Sequence, residues 1–255
     1  MNKGIGIAGI AGRMGRLLAE EVPAAGAALA GGVDRPGLAV EGARMFPDIT
    51  ALAAGADVVL DFSHASTAVA HANALAAAGT AWVLGTTGID AAGEAAVRAA
   101  AARIPVVWAP NFSAGVTLML ALAERMAAAL PAAQYDAEIV EMHHRQKVDA
   151  PSGTAIGLGQ AVAKGRGVDL AQVKQSGRDG HTGPRPQGAI GFAALRGGQV
   201  VGEHTLLFAS DTEHIALTHR AFDRRTFATG AVRAALWVQG RPAGLYSMHD
   251  VLGLA

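Results

Sequence analysis

The chain contains no cysteine, no long uninterrupted hydrophobic run and no net charge among its 255 residues. Without cysteine it can form neither disulfides nor thiolate metal sites, which fits a cytoplasmic protein. Its apolar runs are too short or too interrupted to span a bilayer. The balance of 21 basic and 21 acidic residues argues against nucleic acid or an anionic membrane as a partner.

The first residues also lack the features of a secretory signal. Residues 1–12 pass directly into a glycine-rich stretch, without a longer apolar segment and a small-residue cleavage site, so we expect no signal peptide. The length suits one large domain or two moderate ones, and we favour two.

A strand, a glycine-rich turn and a helix open the chain. Residues 4–8 are apolar enough for a buried strand, and the glycines at 9, 12 and 15 precede a helix through Arg16, Leu17, Leu18 and Glu21. The spacing G-x-x-G-x-x-G is weak by itself, since a glycine-rich turn is its simpler explanation. In this context, however, glycine lets a pyrophosphate approach the start of a helix. We predict a dinucleotide-binding turn made of Gly9, Ile10, Ala11, Gly12, Arg13 and Met14.

The second predicted strand, residues 28–33, ends in Asp34 and Arg35. This lies about 20 residues past the glycines, where such folds contact the adenosine ribose. Asp34 can accept hydrogen bonds from the ribose hydroxyls of NAD, whereas Arg35 can pair with the 2′-phosphate of NADP. The sequence thus allows either NADH or NADPH as the cofactor, and we slightly favour the use of both. The alternative is an ordinary polar turn, which Asp-Arg-Pro-Gly also suits.

Alternating strands and helices continue to residue 108. Strands are predicted at 57–62, 80–84 and 105–108, with helices at 67–78 and 91–102. Open α/β sheets bind ligands beyond the carboxyl ends of their strands, although each turn alone is equally well explained as a plain connection. We predict that the turns after the last two strands border the nicotinamide, through Gly85, Thr86, Thr87, Ala109, Pro110, Asn111 and Phe112.

The second half of the chain changes to successive strands. After a helix from residue 115 with Leu118, Leu122, Met126 and Leu130, strands are predicted at 137–142, 189–195, 200–209 and 213–220, and helices at 154–164 and 223–238. The predicted fold class is α/β: a Rossmann-like dinucleotide-binding domain (1–113 and 224–255) plus an α+β domain (114–223) with an open, mostly antiparallel sheet. We expect hinges near 113–116 and 221–224 that close the domains over their ligands.

Reactive side chains concentrate in residues 138–155, EIVEMHHRQKVDAPSGTA. His143 and His144 fall where a strand ends, and Lys147 adds a cation. Ser152 suits the N-cap of the following helix. The first turn of a helix attracts a carboxylate through its N–H groups and dipole, and Gly153 lets a ligand approach the backbone. The stretch suits an anionic substrate that needs a proton.

Two simpler interpretations compete with a catalytic site. Paired histidines are more often solvated or structural, and Glu141 with two histidines can be drawn as a metal site. The metal interpretation is weaker, because His143 and His144 are adjacent rather than spaced along a helix and Lys147 opposes a cation. We therefore expect no metal.

The string E-x-H-H-x-x-K-x-D-A-P-S-G-T-A, here Glu141–Ala155, resembles the signature of the 4-hydroxy-tetrahydrodipicolinate (dihydrodipicolinate) reductase family. Further motifs match that family over essentially the entire chain: G-T-T-G, N-F-S-x-G-V, R-x-G-H-T-G, G-x-I-G-F, V-G-E-H-T and T-F-A-x-G-A-V-R-A-A-L-W. Ala65 stands where the family often has proline, and the segment between Arg35 and Asp57 is shorter than usual. These departures concern the adenosine side and cofactor preference.

The resemblance implies reduction of 4-hydroxy-tetrahydrodipicolinate, via dihydrodipicolinate, to tetrahydrodipicolinate by NADH or NADPH in diaminopimelate and lysine biosynthesis. It implies that His143 donates and accepts a proton, that Lys147 donates one, and that His144, Gly153 and Thr154 bind a substrate carboxylate. It also implies a cytoplasmic homotetramer acting on a small heterocyclic dicarboxylate. The resemblance does not decide whether Arg178 or Arg224 binds the second carboxylate of the substrate.

Two alternative functions share part of this pattern. Another Rossmann oxidoreductase of amino-acid metabolism would share the first domain but would not need the string Glu141–Ala155. A non-catalytic NAD(P)-sensing regulator would need the cofactor site but could dispense with His143 and Lys147.

Overall fold

The computed structural model describes residues 3–254, which divide into two compact units. The first unit joins the described residues up to Ala114 with those from Arg225 onward, and the second is Gly115–Arg224. Between residues 3 and 254, none of the helices combines the length and the apolar character needed to cross a membrane.

The elements follow one another in the order that the periodicity of apolar residues predicts, with some additions. The strands of the described residues are β1 (Ile5–Ala8), β2 (Leu29–Val33), β3 (Val58–Asp61), β4 (Ala81–Leu84), β5 (Pro105–Trp108), β6 (Asp136–His143), β7 (Lys174–Ser176), β8 (Ile190–Arg196), β9 (Gly202–Ala209), β10 (His214–Ala221) and β11 (Gly244–Tyr246). The helices are α1 (Arg13–Ala24), α2 (Ile49–Gly55), α3 (Ala68–Ala78), α4 (Ala91–Ala101), α5 (Ala114–Ala129), α6 (Gly153–Gly165), α7 (Leu170–Val173), α8 (Arg225–Val238) and α9 (Met248–Leu252).

A six-stranded sheet in the order β11-β5-β4-β3-β1-β2 forms the centre of the first unit, and all its pairings are parallel. Every residue of β1, β3 and β4 is buried, as expected for strands covered on both faces. Helices α1 and α8 pack on one face, and α2, α3 and α4 on the other. The chain reverses its direction of strand addition between β2 and β3, which opens a crevice beyond β1.

The second unit contains a mixed sheet in the order β10-β9-β6-β8-β7. Strand β9 pairs antiparallel with β6 and β10, whereas β8 pairs parallel with β6 and β7. The predicted fold class is confirmed, and the two long pairings of β9 supply the antiparallel part of the second sheet. Its parallel part follows from connectivity: α6, α7 and a long loop separate β6 from β7 and β8, and such crossovers allow parallel pairing.

The two faces of the mixed sheet differ in their surroundings. Helices α5 and α6 cover one face, where Met119 and Leu158 pack with Ile139, Phe192 and Phe208. The opposite face carries apolar and small side chains together with ion-paired charges such as Glu138, and no helix of the second unit covers it. We call it the open sheet face, and strand pairing places on it Val140, Ala193, Leu195, Thr205, Leu207, Ala216 and Thr218.

Two features of the fold add to the sequence predictions. Helix α5 forms as predicted and turns Met119, Ala123 and Ala127 to the core, which leaves Leu118 and Leu122 45% and 38% exposed. Helix α2 was not predicted; it is short, and Asp48 caps it by accepting a hydrogen bond from the Ala51 N–H.

We expect Gly230→Ala to lower the free energy of unfolding by about 1–3 kcal/mol, because its Cβ would collide with the carbonyl oxygen of Phe112, which cannot move without shifting backbone. Gly157→Ala is the matched helical control: its Cβ would lie 3.4 Å from Leu120, an ordinary contact. The control should be neutral or stabilising by up to about 1 kcal/mol. Denaturant unfolding at one protein concentration measures both, and equal losses would contradict the packing argument.

Candidate active site

The glycine-rich turn between β1 and α1 forms a tight loop at the crevice. Gly9 has a φ of 82°, in the left-handed region that favours glycine, and a Cβ at Gly15 would collide with the Gly9 carbonyl. Gly12 is the N-cap of α1 and supplies no capping side chain. The first turn of α1 therefore presents backbone N–H groups and the positive end of the helix dipole, the arrangement that binds phosphate in dinucleotide sites.

A cavity of about 540 Å³ opens beside this loop. It brings together Gly9, Ala11 and Gly12 with Asp34 and Arg35 at the end of β2. The loop after β3 closes its other side, and the further lining residues are Val33, Leu38, Phe62, Ser63, His64, Thr67 and His71.

Asp34 ties the end of β2 to the glycine loop. Its carboxylate accepts hydrogen bonds from the N–H groups of Ala11 and Arg35, both at 2.8 Å. The carboxylate is thus held in place with acceptor capacity to spare for hydroxyl groups. The Arg35 side chain is exposed at the rim of the cavity, where it can pair with an anion.

The remaining predicted cofactor residues do not line this cavity. Ile10 is fully buried in the core, and Arg13 and Met14 begin α1. The Thr86 hydroxyl is buried and donates to Asp61, so this residue can offer a ligand its backbone rather than its side chain. The others follow the same sheet edge after β4 and β5, and they are Gly85, Thr87, Ala109, Pro110, Asn111 and Phe112.

The loop after β3 contributes cavity residues that the sequence prediction missed. Asp61, only 1% exposed, accepts hydrogen bonds from the Ser63 hydroxyl at 2.5 Å and Trp82 Nε1 at 3.3 Å, and it pairs with His71 Nδ1 at 2.7 Å. This network fixes the position of the residues that follow β3. The D-F-S sequence at the strand end was a usable signal for Ser63, whereas His71 had no local signal.

In the second unit, β6 ends in a buried cluster of charged and polar groups. His143 is the last residue of β6, and Glu141 lies two residues earlier, on the same face of the strand. His143 Nδ1 and Glu141 Oε2 are 2.6 Å apart. Arg196, at the end of β8, donates one hydrogen bond to each Glu141 oxygen at 2.8 Å, and the Ser152 N–H donates a third at 3.1 Å. Glu141 is 1% exposed, so these donors replace water around its charge.

The protonation of this cluster follows from its contacts. Burial raises the pKa of Glu141, but Arg196, His143 and the Ser152 N–H outweigh that effect and hold it below its ordinary value. Burial lowers the pKa of His143, and the Glu141 carboxylate only partly offsets this lowering. The free protein at neutral pH thus carries an ionised Glu141 beside a mainly neutral His143.

His204 on β9 connects the cluster to α6. Its Nε2 lies 3.0 Å from the Ser152 hydroxyl, and its ring meets that of His143 edge-on at 5.1 Å. Burial, followed by the neighbouring His143, lowers the pKa of His204 to about 4, so this ring is neutral near pH 7. Ser152 also caps α6 by accepting a hydrogen bond from the Ala155 N–H, as predicted.

The other predicted substrate residues lie on the segment between β6 and α6. Lys147 Nζ pairs with Asp149 at 2.8 Å, and its charge contributes to the lowered pKa of His143. His144 Nδ1 is buried and has no hydrogen-bond partner among the described residues. Gly153 and Thr154 begin α6, and a Cβ at Gly153 would meet no atom within 4 Å, which leaves this helix start accessible to a ligand.

Three members of the cluster were not assigned a role from the sequence: Glu141, Arg196 and His204. Glu141 and His204 lie within motifs that resemble the family, but Arg196 had no local signal, since it is 55 residues from Glu141. Arg178, an open candidate for a substrate contact, instead donates to Glu138 on the other face of β6. Residues 3–254 include no group of three or more His, Asp or Glu side chains that could hold a metal ion.

Comparison with known proteins gives matches over nearly the whole length. A family model described as dihydrodipicolinate reductase, N-terminus, matches residues 3–112, and one described as dihydrodipicolinate reductase, C-terminus, matches residues 115–252. The 4-hydroxy-tetrahydrodipicolinate reductase of Granulibacter bethesdensis is 68% identical over 253 residues, covering 98% of this chain and 97% of the relative. The enzyme of the same name from Gluconacetobacter diazotrophicus is 65% identical over 250 residues, covering 98% and 97%.

Solved structures agree on the fold. A dipicolinate-bound dihydrodipicolinate reductase from Paenisporosarcina sp. TG-14 is similar with a TM-score of 0.78 at 24% identity, over 96% of this chain and 97% of that one. A probable dehydrogenase from Thermotoga maritima follows with a TM-score of 0.62 at 13% identity, over 98% and 92%. Because the family models together cover both halves of the sequence, the chain belongs to the dihydrodipicolinate reductase family of NAD(P)H-dependent oxidoreductases, which act in lysine and diaminopimelate biosynthesis.

Proposed function

We propose that the first unit binds NADH or NADPH, and that the second unit binds the heterocyclic dicarboxylate and supplies its proton from His143 and Lys147. The observation that carries this proposal is the His143–Glu141 pair at the end of β6, next to Lys147 and the start of α6. This stretch supplies a proton-exchanging imidazole, a cation and a helix N-terminus, the three elements that a dianionic substrate needs.

The residues of the first unit fit a dinucleotide. The glycine loop has no room for Cβ atoms at Gly9 or Gly15, and it places the start of α1 at the cavity. These residues would hold the pyrophosphate, while Asp34 and Arg35 would contact the adenosine ribose. A bound nicotinamide supplies the hydride for the reduction. Arg35 favours NADPH through its charge and Asp34 favours NADH through its acceptors, so we propose that both serve.

Adding a hydride to the dihydrodipicolinate ring leaves it electron-rich, so the ring must then take up a proton. His143 is mainly neutral in the free protein, and a dianionic substrate would favour its protonated form. Lys147 attracts the same substrate and can donate as negative charge develops on the ring. His144, Gly153 and Thr154 would bind one carboxylate at the start of α6. The buried Nδ1 of His144 has no hydrogen-bond partner among the described residues and can bond to this carboxylate.

We expect His143→Ala and Lys147→Ala each to lower kcat about 100-fold or more, the usual contribution of a positioned acid. Lys164→Ala is the control, because Lys164 is exposed near the end of α6 and pairs with Glu124 on α5. The assay follows the loss of NADPH absorbance with freshly generated substrate. Ordinary turnover in both variants would remove the proposed roles.

Arg35→Ala should raise the KM for NADPH about 10-fold, the loss of roughly one charge-assisted hydrogen bond, and should leave the KM for NADH nearly unchanged. The reason is that only NADPH carries the 2′-phosphate. Initial rates with each cofactor measure the effect, and Arg98→Ala on α4 is the control. An equal change in KM for both cofactors would show that Arg35 does not recognise the 2′-phosphate on the adenosine ribose.

We also propose that the protein is a homotetramer assembled through the open sheet face, and that it acts in the cytoplasm, where biosynthesis draws on NAD(P)H. Val140 and Leu195 on this face are 39% and 51% exposed. The charges on the same face are neutralised within the chain, since Glu138 pairs with Arg178 and Arg185. A second copy of an apolar, neutral face is therefore a suitable partner.

Val140→Lys should shift the molar mass in solution from the tetramer towards smaller species, because it would bury unpaired charges between the faces. Val69→Lys on α3 is a matched control, since Val69 is 43% exposed and lies in the other unit. Size-exclusion chromatography with light scattering measures both. If Val140→Lys retains the mass of the parent, assembly does not use this face.

A further inference from the structure

We propose that Glu141 and Arg196 are positioning residues for His143: Glu141 selects the ring nitrogen that exchanges protons with the substrate, and Arg196 holds Glu141 in place. This inference deepens the proposed function, because it concerns the histidine to which we assign proton transfer. Neither residue needs to contact substrate or cofactor. Both act through the orientation and the tautomer of one imidazole.

The tautomer follows from the contacts of the Glu141 carboxylate. An ionised carboxylate only accepts hydrogen bonds, so the 2.6 Å contact requires a proton on His143 Nδ1. In the neutral ring, the lone pair is then on Nε2, which becomes the position for proton exchange. Gly202 on β9 keeps this side of the ring uncrowded, since a Cβ there would lie 3.0 Å from Nε2.

Arg196 holds two parts of the site at once. Its two terminal nitrogens donate to the two oxygens of Glu141, and one of them also donates to the carbonyl of Asp149 at 2.7 Å. The Asp149 side chain in turn pairs with Lys147. One guanidinium therefore connects, through Glu141 and Asp149, to both residues to which we assign proton transfer. A bidentate contact of this kind fixes direction as well as distance.

Glu141 and Arg196 act on His143 with opposite sign. The charged and titratable groups facing this ring are Glu141 on its own strand, Lys147 on the following loop, Arg196 on β8 and His204 on β9. Glu141 favours the imidazolium, and the two cations disfavour it. Removing the carboxylate should thus lower the pKa of His143, whereas removing the guanidinium should raise it. A purely structural role would not produce shifts of opposite sign.

The test is an NMR titration of the full-length protein with isotope-labelled histidine, without cofactor, comparing Glu141→Gln and Arg196→Met with the parent. Glu141→Gln should lower the pKa of His143 by about 1, since an opposite charge is lost at hydrogen-bond distance. Its amide can donate to Nδ1, so part of the neutral ring should move its proton to Nε2. Arg196→Met should raise the pKa. Glu138→Gln, on the same strand but the open face, should leave it unchanged.

Steady-state kinetics supply the second measurement. Glu141→Gln should lower kcat and kcat/KM together by about 10-fold or more, with little change in KM, because the lost interaction serves proton transfer rather than substrate binding. Glu141→Asp keeps the charge at shorter reach. In Glu141→Asp, the pKa of His143 and kcat should both lie between the values of Glu141→Gln and of the parent. If Glu141→Gln does not fold, Glu141→Asp takes its place in the test.

The outcomes separate the two proposals. An unchanged pKa and tautomer in the Glu141 variants, or shifts of equal sign for Glu141→Gln and Arg196→Met, would overturn the positioning role. A shifted tautomer with ordinary turnover would support that role and would instead remove His143 from proton transfer. Opposite shifts together with a loss of kcat in Glu141→Gln would support both proposals.

Discussion

The second unit depends on the neutralisation of one buried carboxylate. Glu141 is 1% exposed, and an ion without water costs several kcal/mol unless hydrogen bonds and opposite charge replace its hydration. Its donors come from three elements: His143 on β6, Arg196 at the end of β8 and the Ser152 N–H before α6. Glu141 keeps its hydrogen bonds only when these three donors are in place. Burial of its charge therefore also constrains the ends of β6 and β8 and the start of α6.

The first unit also contains a buried carboxylate, that of Asp61, whose hydrogen-bond partners replace water. Asp61 ends β3, the strand beside the crevice, and it is as deeply buried as Glu141. Its partners come from α3, β4 and the following loop, through His71, Trp82 and Ser63. In each unit, a carboxylate on a central strand holds the adjoining loop at the carboxyl end, where ligands of open sheets bind. Rigid support beneath a loop gives a ligand site its geometry while the loop itself stays on the surface.

Local patterns were enough to predict most of the elements and the stretch 138–155 in which the candidate site lies, whereas the roles proposed for its residues came from the family resemblance. Apolar runs separated by glycine and capping residues located β1 to β5, and Ser152 was identified as an N-cap from its neighbours alone. The parallel pairing of β6 with β8 could not be predicted, because it depends on crossovers that bring together residues far apart in sequence. That register sets Arg196 opposite His143 and within reach of Glu141. Arg196, the member of the cluster without a local signal, therefore joins it only through tertiary pairing.

The same pairing explains how the cluster can orient an imidazole without forcing it to be charged. A carboxylate alone at hydrogen-bond distance would raise the pKa of a histidine strongly. Here the pKa of His143 is lowered, because burial dominates and because Arg196 and Lys147 oppose the carboxylate. Glu141 can thus determine the direction of the ring while its partners cancel much of its charge. Under the proposed function, His143 would stay neutral until the anionic substrate binds. Its proton uptake would then be coupled to substrate binding rather than to the resting fold.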